Sequence, residues 1–134
     1  MNLRINYWAV ILLTLLHQVI GALWYTAFEA RWLHAIGTKP EDLAPGPMPF
    51  VVSVIASFSL SLLMAAIFRG LKVNSAARGA SYGFFIWLAF VCLPYATHQL
   101  FIGFGPALIA IDMGKDFVGF VLTGLVLGTW IKYE

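Results

Sequence analysis

The sequence has 134 residues, 61% hydrophobic and only 10% charged, with a formal net charge of +2. Soluble domains carry about 25% charged residues, and so short a chain has too much surface for its volume to hide this much apolar area from water. The composition therefore excludes a water-soluble domain, offers no basic excess for nucleic acid and, with Cys92 as the one cysteine, excludes an internal disulfide or a CxxC redox pair.

The first apolar run covers about residues 5–27. It is longer than the apolar region of a signal peptide, and Trp24 and Tyr25 stand where small residues would guide cleavage, so it reads as a retained span. Residues 26–36 keep a helical pattern, with Phe28, Trp32 and Ile36 on one side and Glu29, Arg31 and His34 as polar contacts. Either the first helix continues past the bilayer, or a short helical loop over about 28–44 lies in the interface. Gly37 suits a helix C-terminus. Thr38-Lys39-Pro40-Glu41 reads as a capping box opening a short turn, and the prolines at 45, 47 and 49 mark a loop.

The second span covers about 50–68. Ser53, Ser57, Ser61 and Ala65 recur every four residues, a small-residue face suited to close helix packing. The third, about 79–101, contains Pro94, which should kink it, with Tyr95, Thr97, His98 and Gln99 clustered just beyond. Gly103-Phe104-Gly105-Pro106 turns the chain into a last span at about 106–131. Its roughly 26 residues would rise about 39 Å, against a hydrocarbon core of about 30 Å. Gly124 and Gly128 form a small-xxx-small motif there. Gly21 joins the serines and these glycines as a packing candidate.

The expected architecture is all-α: an up-down bundle of four transmembrane helices with a short helical outer loop, forming a single membrane domain over 1–134. Arg4, Arg69, Lys72, Arg78 and Lys132 fall on one side, which the positive-inside rule makes cytoplasmic, with both termini. Tyr7, Trp8, Trp130 and Tyr133 would mark that interface, and Trp24, Tyr25, Trp32 and Phe104 the other.

The last span carries Asp112, Lys115 and Asp116. Ionisable groups at membrane depth are costly and mark candidate sites. Helix rise puts His17 and Asp116 at about 15 Å depth, Asp112 at about 9 Å and His98 at about 6 Å. The expected polar cluster is therefore His17 with Asp116 and His98 with Asp112, together with Gln99 and Lys115, and with Trp24, Tyr25 and Glu29 at its mouth. The same residues could equally tie helices together by hydrogen bonds. The unequal depths of His17 and His98 disfavour paired haem ligation, no convincing metal set is expected, and no cofactor is assigned. No nucleophile turn, phosphate loop or nucleotide fingerprint is present, so no catalytic residue is assigned.

Gly21-Ala22-Leu23-Trp24-Tyr25, followed by Trp32, Gly37, Glu41-Asp42-Leu43 and a terminal Gly128-Thr129-Trp130, resembles the bacterial membrane-protein family called domain of unknown function 1761. The resemblance implies a small four-helix integral membrane protein of the inner membrane, with no known reaction or ligand. In that family's pattern the last helix carries a polar residue near position 112 and often a histidine near 116, where this chain has Asp112 and Asp116. Three functions stay open: a non-catalytic bundle that self-associates or serves a larger membrane complex, with membrane lipid around it; a proton- or cation-coupled transporter or channel using Asp112 and Asp116; and a lipid-modifying enzyme with an outer His/Asp cluster.

Overall fold

The computed structural model describes residues 3–133, without the side chains of Leu3, Lys132 and Tyr133. The expected interface roles of Lys132 and Tyr133 therefore lie outside the described side chains. Helix α1 spans Tyr7–Ile36. The Asn6 side chain caps it by accepting from Ala9 N–H, 3.3 Å, satisfying one of the donors a helix start leaves open. Gly37, at φ 69°, ends it, with its own N–H and that of Thr38 returned to His34 and Leu33 carbonyls. Of the two readings, the first helix does continue, as far as Ile36, and a separate interfacial helix over 28–44 is not found among the described residues. The capping box at Thr38 and Glu41 does not form either. A 3-10 turn over Pro40–Asp42 has Lys39 as its cap, no side-chain capping bond, and closes through backbone bonds alone.

Helix α2 spans Met48–Gly70. It starts inside the expected proline loop because Pro47 and Pro49 fall at its cap and first turn, where a missing N–H costs no helical bond. Helix α3, Ala76–Trp87, runs through a π turn at Leu88–Cys92 into α4, Leu93–Phe101. Pro94 cannot donate and its ring crowds the carbonyl four residues back. The wider turn just before it, with Leu93 N–H returned to the Leu88 carbonyl, relieves that conflict. Gly103, at φ 89°, turns the chain into α5, Pro106–Thr129, which opens on a proline.

Among the described residues the chain is all-helical apart from a two-residue antiparallel pairing of Leu3–Arg4 with Lys132–Tyr133. That pairing, and the Asn6 amide donating to the Trp130 carbonyl at 3.2 Å, hold the two chain ends together. The α1 segment, α2 and the continuous Ala76–Phe101 rod are long and apolar enough to cross a membrane. Helix α5 has the length, but Asp112, Lys115 and Asp116 set it apart from these three. The outward surface is apolar: Trp8, Leu23, Phe90 and Phe101 are 67%, 68%, 78% and 87% exposed. A water-soluble fold does not present that face.

Helix α5 packs most extensively on α3 and next on α1, whereas α2 rests chiefly on α1. The α3–α5 contact is made by glycines. A Cβ on Gly79 would run into the Gly124 carbonyl, on Gly83 into that of Phe120, on Gly124 into that of Gly79, and on Gly128 into that of Ser75. The Gly124–Gly128 motif is thus consumed within the chain, against a complementary Gly79-xxx-Gly83 motif on α3. Gly21, expected as a packing residue, has open space where a Cβ would stand. Ser57 and Ser61 are buried as expected of a seam, and Ser53 is exposed at its end. A core of Val10, Leu13, Met64, Phe68, Phe120 and Leu127 fills the end near the paired termini.

A polar groove between α1, α2 and α5

The sequence places Trp24, Tyr25 and Trp32 among the aromatics of an outer interface. Structurally all three turn inward onto α5. Trp24 Nε1–H donates to the Ile111 carbonyl at 2.8 Å. Tyr25 OH and Trp32 Nε1–H both donate to Asp112 Oδ1, at 2.7 and 3.1 Å. Tyr95 OH donates to Asp112 Oδ2 from α4. Asp112 is therefore a carboxylate held by three neutral donors from two neighbouring helices, which satisfies its lone pairs in a low-dielectric setting. The expected His98 partner is absent: His98 lies exposed on α4, and Gln99 contributes its backbone carbonyl to the turn at Phe104. The physical reason is the π turn, which resets the α4 register so that Tyr95 is the α4 side chain reaching Asp112.

His17 does not bond Asp116 either. Its Nε2 meets Thr123 Oγ1 at 2.9 Å, two turns further along α5. Gly119 makes room for it: a Cβ there would stand 2.6 Å from His17 Cε1. Asp116 pairs instead with its neighbour Lys115, Nζ to Oδ1 2.7 Å, and both side chains remain about a quarter exposed (25% and 29%). The Lys115 ammonium lies 6.0 Å from the Tyr25 ring centre. On the facing side, Gln18 bridges α1 to α2, donating to Ser57 Oγ at 2.9 Å and accepting from Ser53 Oγ at 3.0 Å.

These groups line an open groove. One cavity of about 690 Å³ runs along α1 past His17, Gln18, Ala22, Tyr25, Glu29 and Trp32. A second of about 540 Å³ continues beside Asp116, Val52 and Leu60. His17, Pro49, Ser53, Ser57 and Lys115 belong to both linings. Volumes of this order are those of small-ligand sites. The groove exists because α2 packs chiefly on α1 and leaves the α5 face at Lys115 and Asp116 partly uncovered. Trp24 lies on another side of α1, beside Phe28 and Arg31.

Of the expected cluster, the structure brings His17, Lys115 and Asp116 to one groove, with Tyr25 and Glu29 at its lip. It leaves His98 and Gln99 apart and turns Asp112 into the aromatic cage. Sequence reading missed Gln18, Thr123, Tyr95 as a site residue, and Trp32 as a ligand of Asp112. Thr123 stood alone in an apolar run and Gln18 stood beside the more conspicuous His17, polar signals easily taken for tolerated surface or core residues. Among the described residues no three His, Cys, Asp or Glu side chains converge as metal ligands.

A family model described as "Protein of unknown function (DUF1761)" matches residues 8–128. No curated protein and no solved structure matches the chain.

Proposed function

The chain belongs to the family described as Protein of unknown function (DUF1761), whose description assigns no activity, and on that premise we propose that it is a non-catalytic membrane bundle that binds an amphiphile in the α1–α2–α5 groove. The reading takes all four helical rods across the bilayer, α5 included, with both termini on the cytoplasmic side beside Arg4, Arg69, Lys72 and Arg78. Helix α5 can enter lipid because each of its charges has a partner: Asp112 its three donors, and Lys115 and Asp116 each other.

One observation carries the proposal: a groove of about 690 Å³, largely apolar but holding His17, Gln18, Glu29 and Lys115, stands open on a chain whose helices expose large apolar side chains. Ion carriage by Asp112 and Asp116 is the weaker reading, since both carboxylates already hold donors. Acid–base chemistry on lipid is weaker still, because His17 is engaged by Thr123 and His98 lies outside the groove. Self-association through Gly124 and Gly128 loses its support, those glycines being in contact with α3. Any further subunit would meet the exposed apolar faces instead, such as Val51, Val54, Ile55 and Phe58 on α2.

Native mass spectrometry of protein extracted in mild detergent tests this. The expected spectrum shows one retained amphiphile per chain. Ala22→Phe, at an exposed position lining the groove, should strip it and leave the fold intact. A chain that retains nothing, with the Ala22→Phe spectrum identical, overturns the reading. The same spectrum reports whether the chain travels alone, as an oligomer or with other subunits.

A further inference from the structure

We infer that the amphiphile this groove accepts is zwitterionic, with a phosphate-like anion on Lys115 and an ammonium on Glu29, as in a phosphoethanolamine lipid. The inference rests on the binding reading above and adds the headgroup chemistry. Three charged side chains line the two cavities: Lys115, Asp116 and Glu29. One cation against two carboxylates leaves the groove short of positive charge, so an anionic headgroup alone would meet repulsion. A headgroup that brings its own ammonium adds no net negative charge and gives the unpaired Glu29 carboxylate a cation.

Each half of such a headgroup has a receptor. An ammonium side chain has three N–H donors, and the described partner of Lys115 is Asp116 alone, leaving donors for an anionic oxygen. Glu29 has no hydrogen bond or ion pair among the described residues and stands in the lining of the larger cavity. Beside it are the rings of Tyr25 and Trp32, packed edge to face with centres 5.7 Å apart. Aromatic rings with a carboxylate make a favourable seat for a cation.

Spacing agrees. Lys115 sits level with Tyr25, and Glu29 lies one α1 turn beyond, about 5.4 Å along the axis. A phosphate and an ammonium joined by two carbons can span that step. From Glu29 back to Gln18 the groove follows α1 for about 16 Å. Its wall there carries Phe50, Val52, Ala56 and Leu60, and Phe50 and Val52 are themselves exposed, at 66% and 54%. Acyl chains laid along them would leave the groove sideways into the bilayer. An acyl chain, rather than a water-soluble zwitterion, suits that wall.

The test uses delipidated full-length protein in non-ionic detergent, titrated separately with dioleoylphosphatidylethanolamine, dioleoylphosphatidylglycerol and dioleoylglycerol, and read by native mass spectrometry. The ethanolamine lipid should bind about tenfold more tightly than either other lipid, the scale of one charge-assisted hydrogen bond. Glu29→Gln, an exposed position that should not disturb folding, should bring the ethanolamine and glycerol lipids to near parity. Glycerophosphoethanolamine, the same headgroup without acyl chains, should fail to compete. A wild-type preference for the phosphatidylglycerol, diacylglycerol binding as tight as the ethanolamine lipid, or a preference unchanged in Glu29→Gln would each overturn the headgroup assignment, and full competition by glycerophosphoethanolamine would overturn the need for an acyl chain. If instead no lipid binds in a one-to-one, Ala22-sensitive manner, it is the binding reading itself that fails.

Discussion

The two sides of α5 are built by opposite rules. Toward α3 it presents Gly124 and Gly128 to Gly79 and Gly83, and the backbones approach until no side chain fits between them. Toward α1 and α2 it presents Lys115, Asp116, Gly119 and Thr123 around a cavity, and the contact with α1 is made by side-chain hydrogen bonds such as His17 to Thr123 and Tyr25 to Asp112. In lipid, helices gain nothing from leaving water, so close van der Waals contact and interhelical hydrogen bonds must do the holding. The glycine side uses the first. The groove side uses the second and leaves space. A glycine therefore means different things on the two sides: at the α3 seam it admits a backbone, and at Gly119 it admits an imidazole.

The comparison breaks most sharply by filling the seam. Gly124→Val should lower the unfolding free energy by about 3 kcal/mol or more, because the atom its Cβ meets is the Gly79 carbonyl, which cannot rotate away. Reversible unfolding in mixed detergent and dodecyl sulfate micelles measures this. Gly21→Ala is the matched control. Open space surrounds that position, so the change should be neutral or stabilising by at most about 1 kcal/mol through helix propensity. Equal losses at the two sites would contradict the seam.

Removing the cage comes next. Asp112→Ala orphans Tyr25, Tyr95 and Trp32 together, and should cost about 2 kcal/mol in the same unfolding assay. A single Tyr95→Phe, which leaves two donors on the carboxylate, should cost about 1 kcal/mol or less. On the groove side, Gly119→Ala should displace His17 from Thr123 at a cost of about 1 kcal/mol, since a ring can shift where a carbonyl cannot. A loss as large as that of Gly124→Val would erase the distinction between the two sides of α5. The smallest effect belongs to Ser61→Ala. The Ser61 hydroxyl is fully buried and has no described partner, so its removal should be neutral or stabilising by about 1 kcal/mol.

Much of the architecture was legible before any coordinates. Apolar runs long enough to cross a bilayer, the breaks at Gly37 and Gly103, and the disturbance at Pro94 all follow from local rules, because chain length, φ restriction and missing donors act within a few residues. The 26–36 segment reads two ways, since its period fits a continued helix as well as a surface one. The candidate site was legible in part. Lys115 and Asp116 were found as charges out of place in an apolar helix, and His17 was put in the same region. Their partners were not, because helical rise gives depth and says little about the rotation of one helix against another. That rotation sent Asp112 to Tyr25, Tyr95 and Trp32, and His17 to Thr123.

The sequence by itself determined that this chain is helical and apolar enough for lipid, and that its last helix carries charges needing company. Those are properties of composition and of one helix at a time. Tertiary structure alone decided which glycines meet, which aromatics turn inward from an expected interface, and that α2 leans on α1 far enough to leave a groove. The reason is geometric: each depends on how helices distant in sequence are rotated and spaced, and a step of about 100° per residue turns a small change of register into a different neighbour.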